Sequence, residues 1–81
     1  MLKDWKKKVY GKFQIAWNYD KEDTFDMHFA RTKDTATIIQ DKKYVLWLNK
    51  SWGSAHSLQW EKGFNSMPEA IKYAKNYMRN H

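Results

Sequence analysis

Residues 9–19 alternate: Val9, Phe13, Ile15, Trp17 and Tyr19 fall on one side, and Tyr10, Lys12, Gln14, Ala16 and Asn18 on the other. A period of two marks a strand with one buried face. Asp20, Lys21, Glu22 and Asp23 then interrupt it as a charged turn. A second alternating run carries Phe25, Met27 and Phe29 on one face and Asp26, His28 and Ala30 on the other, so the two runs read as a hairpin. Residues 32–35 read as a polar loop. The branched residues Thr37, Ile38 and Ile39 suit a short third strand, and Asp41, Lys42 and Lys43 form the next turn.

Residues 44–49 are apolar on both faces, which suits a central strand: Tyr44, Leu46 and Leu48 oppose Val45 and Trp47. Residues 49–54 supply a further turn in which Gly53 is free to take positive φ. Residues 55–61 give a last strand, with His56, Leu58 and Trp60 on one side.

The C-terminal segment changes period. Ser66 and Glu69 have capping-box spacing, and Pro68 occupies the first turn, where a missing N–H costs nothing. Met67, Ala70, Ile71, Ala74, Tyr77 and Met78 recur at three- and four-residue spacing, with Lys72, Lys75, Asn76 and Arg79 opposite them. The expected fold is α+β: an antiparallel meander of four to five strands packed on one face by a single C-terminal helix. One domain covers 1–81, with a basic lead-in at 1–8, the sheet at 9–61 and the helix at 66–79.

Composition sharpens this picture. A chain of 81 residues without cysteine has neither disulfides nor thiolate metal sites to stiffen it, yet 17% of its residues are aromatic, five of them Trp. Large rings can build a small core, and their surplus hints at an exposed aromatic surface. The net charge is +6, and Arg31 and Arg79 are the only arginines among 15 basic residues. Lysine attracts polyanions without the planar fork that reads bases. No run approaches the ~20 apolar residues of a membrane span, and no apolar stretch follows the N-terminal charges. The expectation is a cytoplasmic, intracellular protein with no membrane contact.

Catalytic chemistry finds little support. His28 and Asp26 share a strand face, but no nucleophile is marked beside them. The acidic cluster from Asp20 lacks the glycine and glutamate of a calcium loop, with Phe25 and Arg31 at those places. Gly11, Gly53 and Gly63 are isolated. The expectation is therefore a non-catalytic module with no cofactor and no metal.

Two classes of partner fit. Single-stranded nucleic acid stacks its bases on flat rings while lysines follow its phosphates. The residues proposed for that role are Lys6, Lys7, Lys8, Tyr10, Lys12, Lys42, Lys43, Trp47 and Trp52. The alternative is a protein partner gripped by aromatic anchors, as a small virus-encoded inhibitor or adaptor would dock on a host protein. A homodimer through an edge strand fits either class.

Overall fold

The computed structural model describes residues 4–21, 23–35, 39, 41–52 and 54–80. Five strands form one antiparallel sheet in chain order: β1 (Trp5–Gly11), β2 (Gln14–Asp20), β3 (Thr24–Arg31), β4 (Tyr44–Trp52) and β5 (Ala55–Phe64). A single turn of 3-10 helix, Thr32–Asp34, follows β3, and helix α1 (Met67–Arg79) closes the chain.

The register sorts the side chains into two faces. Ile15 pairs with Phe29, Trp17 with Met27 and Tyr19 with Phe25. Phe29 in turn pairs with Leu46 and Met27 with Leu48, which faces Trp60 on β5. These positions form the core face. Met27, Phe29, Leu46 and Leu48 are essentially inaccessible, and Ala70, Ala74 and Met78 of α1 seal them. Alanine at 70 and 74 lets the helix axis approach the sheet closely. The helix lies over β3, β4 and β5. The indoles of Trp5 and Trp17 belong to the same core on the β1–β2 side.

The local chemistry of the helix follows the sequence. Ser66 Oγ accepts a hydrogen bond from the Glu69 N–H at 3.4 Å, Glu69 lies in the first turn and Arg79 in the last. Trp60 meets the rings of Tyr73 and Tyr77 edge-on, at 5.6 and 5.3 Å, and so ties the helix to β5.

Three details depart from expectation. The alternating run at 9–19 is two strands, because the chain reverses through Lys12 and Phe13 and pairs Gly11 with Gln14. A two-residue turn alone would invert the pattern, but the extra residue between Val9 and Gly11 restores it, so Val9 faces Ile15 and the alternation reads straight through. Residues 5–8, expected in a lead-in, accordingly belong to the edge strand β1. In β5, Trp60 faces Leu48 while Leu58 faces Asn49, so Gln59 is the extra residue of a bulge. That bulge turns Leu58 away from the face of Trp60, against the single alternation expected, and β5 continues to Phe64. Of the expected third strand, Thr37 and Ile38 lie outside the described residues, as does Gly53, and Ile39 is in no strand.

The second sheet face is only partly open. Val45 has no exposed surface and Ala30 very little, although both lie opposite the helix side. Their neighbour Gly63 lies under the β3–β4 connection: a Cβ there would sit 2.5 Å from Lys42 Cγ and 2.7 Å from Ile39 Cγ2. Asp41, at φ 61°, turns the chain back towards β4.

Candidate nucleic-acid interface

The helix-free face carries one cross-strand row built from Lys8, Ala16, His28, Trp47 and Glu61. His28 and Trp47 are direct partners on β3 and β4, and their rings stack with centroids 5.2 Å apart and planes 17° apart. Both are partly buried. Burial pushes the His28 pKa below its ordinary 6.5, while the Asp26 carboxylate pulls the other way and loses. At neutral pH the stack is thus an uncharged flat surface. Asn18, Asp26 and Asn49 form the adjoining row, with Lys6 at its β1 end.

A second concentration of chemistry lies at the end of the sheet where β3 ends and β4 begins. A cleft of about 290 Å³ is lined by Arg31, Thr32, Lys33, Lys42, Lys43 and Tyr44. Thr32 holds its floor, its N–H bonding Lys43 O at 3.0 Å and its hydroxyl donating to Lys42 O at 3.0 Å. Arg31 Nε donates to Asp34 at 2.7 Å, and its guanidinium lies 4.6 Å over the Phe13 ring. Lys12 also stands over Phe13, at 5.6 Å, and Phe13 approaches Tyr44 at 6.4 Å. Cations and rings therefore alternate along this end.

The opposite end is acidic. Asp4, Asp20, Asp23 and Asp26 gather around the start of β1 and the β2–β3 turn, with Lys21 paired to Asp4 at 3.6 Å and Lys50 to Asp23 at 3.7 Å. These half-exposed pairs contribute at most about 1 kcal/mol each. Beside them lies a cavity of about 460 Å³ lined by Asp4, Trp5, Tyr19, Lys21, Asp23, Phe25 and Tyr77. The Trp5 indole N–H is buried without a hydrogen-bond acceptor, a feature that costs roughly 1–3 kcal/mol.

The residues expected at a site divide accordingly. Lys6, Lys8 and Trp47 share the helix-free face. Tyr10 stands exposed at the irregularity between Val9 and Gly11, with the Lys8 ammonium 5.3 Å over its ring. Lys12, Lys42 and Lys43 lie at the basic end. Lys7 pairs with Trp17 and so sits on the core side of the edge strand. Trp52 closes β4 at the acidic end, more than half exposed, under the Lys50 ammonium at 5.8 Å. Comparison with protein-family models, curated proteins and solved structures finds no match.

Sequence reasoning missed Phe13, Arg31 and Tyr44 as a unit, because only the chain reversal at Lys12 and Phe13 brings them together. It also missed the Ser51–His56 contact, a 2.8 Å bond between direct cross-strand partners. Among the described residues no carboxylate bonds His56, so the pair has no orienting third group of the kind a nucleophilic triad uses. Nor do the described residues contain a group of three or more His, Cys, Asp or Glu able to hold a metal ion.

Proposed function

We propose that this protein is a non-catalytic module that binds single-stranded nucleic acid, with phosphates held at its basic end and bases stacked on the helix-free sheet face. The observation that carries the reading is the cleft at the β3–β4 junction. There Arg31, Lys33, Lys42 and Lys43 line the cleft with the ring of Tyr44, and Arg31 also stands over the Phe13 ring. Cations interleaved with flat rings are what a flexible, stacked polyanion recognises, and duplexes offer no exposed base faces to such rings. From Lys43 to Trp47 the strand advances about 13 Å, at ~3.3 Å per residue. A short oligonucleotide spans that distance by passing over the β3–β4 connection, which covers Val45 and Gly63, with its backbone at the cleft and a base on the His28–Trp47 pair. Lys8 and Lys6 extend the positive margin along the same face. The predominance of lysine favours binding with little sequence preference.

A protein partner is the second reading, supported by two exposed apolar side chains on opposite faces of the sheet, Trp52 on the helix side and Leu58 on the helix-free side, 55% and 54% exposed. The experiment that separates the two is a fluorescence titration with labelled single-stranded DNA, single-stranded RNA and duplex DNA at several salt concentrations. Single strands should bind with quenched Trp emission and a log K versus log salt slope near −3, about −0.7 for each of roughly four phosphates. Absence of binding at low salt would overturn the nucleic-acid reading and leave Trp52 and Leu58, each on its own face, as the positions to test.

A further inference from the structure

The acidic end of the sheet poses a separate problem, independent of the nucleic-acid reading. Four aromatic side chains from four elements line its cavity: Trp5 of β1, Tyr19 of β2, Phe25 of β3 and Tyr77 of α1. Trp5 and Tyr19 approach at 5.2 Å with planes 43° apart, and Tyr19 and Phe25 at 6.1 Å with planes 57° apart. The carboxylates of Asp4 and Asp23 stand at the same cavity, as does Lys21, whose ammonium pairs with Asp4 at 3.6 Å, so an incoming cation competes with Lys21 and Lys50 for these carboxylates. Its volume, about 460 Å³, falls in the ~300–1,000 Å³ range of small-molecule sites.

We propose that this cavity binds a methylated ammonium group, with Trp5, Tyr19, Phe25 and Tyr77 as the walls of an aromatic cage and Asp4 and Asp23 as its countercharges. Aromatic faces are electron-rich and attract cations, most strongly where water is displaced. One such contact already exists, since the Lys50 ammonium stands 5.8 Å over Phe25 while paired to Asp23. A primary ammonium is compact and strongly hydrated, so it stays with its carboxylate. A methylated ammonium carries its charge on apolar methyl groups, gives up its water readily and suits the ring-lined interior. A bare metal ion finds no ligand set there, because no three metal-binding side chains converge among the described residues.

Two sources share this chemistry, a free choline-like molecule and a trimethylated lysine side chain, and the test has an arm for each. The intact protein, ¹⁵N-labelled, is titrated with choline, with trimethyllysine amide and with 3,3-dimethylbutanol, the uncharged isostere of choline, while the Trp5 indole N–H resonance is followed. The expected result is a saturable shift with at least one cationic ligand and roughly tenfold weaker binding of the isostere. The tighter of the two cations identifies the source. Replacing Tyr19→Leu should weaken binding several-fold, and Tyr19→Phe, which keeps the ring face, should retain it. The proposal is overturned if no shift saturates below about 0.1 M ligand, if the isostere binds as well as the cations, or if Tyr19→Leu, still folded, binds like the unaltered protein. Should Tyr19→Leu fail to fold, the isostere comparison on the unaltered protein decides alone.

Discussion

His28 and Trp47 face each other across β3 and β4 with their rings stacked at 5.2 Å, on the side of the sheet that the helix does not cover. The pair is large and flat, and half-buried side chains hold it in place. Trp47→Ala should weaken single-strand binding by about 1–3 kcal/mol for the one base it stacks, while Trp52→Ala, at the other end of β4, should leave it unchanged. Fluorescence anisotropy with a labelled oligonucleotide measures both, and circular dichroism confirms that each variant is folded.

The same pair sets a pH dependence. Burial holds the His28 imidazole neutral and lowers its folded pKa below the unfolded 6.5, against the smaller opposing pull of Asp26. The unfolded chain therefore binds more protons between the two values, and stability rises with pH across that interval. The contribution is complete above pH 6.5 and is lost as the pH falls through the folded value. Thermal melts between pH 7.5 and 5 should show a falling Tm, and His28→Gln should flatten that part of the profile.

Gly63 tests how the β3–β4 connection is seated. A methyl group there meets Lys42 and Ile39 at distances no side chain tolerates, so the connection must lift off the sheet. Gly63→Ala should destabilise the fold by about 1–3 kcal/mol, and a denaturant titration with an unchanged m-value would measure it. Gly11, with nothing near its own Cβ position, is the control, and Gly11→Ala should be close to neutral.

The lysines of β1 have a second role that nucleic-acid binding does not test. β1 is an edge of the sheet, and Lys6, Lys7 and Lys8 are all exposed on it. Charged residues on an edge oppose pairing with another strand. Replacing all three with Thr should promote concentration-dependent association, visible by analytical ultracentrifugation. It should also reduce the salt slope of single-strand binding, because Lys6 and Lys8 lie on the face with Trp47.

How much of this was legible depended on whether the signal was local. The helix followed from Ser66, Pro68 and the spacing of Ala70, Ala74 and Met78, all within one window. The core face of β3 followed from Phe25, Met27 and Phe29. The reversal at Lys12 and Phe13 was hidden because its residues are not the usual turn formers and because the irregularity between Val9 and Gly11 cancels the change of parity that a two-residue loop brings. The bulge at Gln59 was hidden because an extra residue changes the register without changing the composition. Neither the basic cleft nor the ring-lined cavity had a local signature. The cavity joins Trp5, Tyr19, Phe25 and Tyr77, whose association depends on the curvature of the whole sheet and the direction of the helix.

The uninterrupted strand order carries a kinetic consequence. Each strand pairs with its neighbour in the chain, so most of the sheet forms from short-range loops, and topologies of low contact order fold quickly. One closure is different. Trp5 and Tyr77 come together only when the first strand and the last helix have both docked, a loop spanning almost the entire chain. The sheet is thus expected to zip first, with the cavity completed last. Its contacts would then be largely absent at the rate-limiting barrier, and a ligand held there would act chiefly as a brake on unfolding.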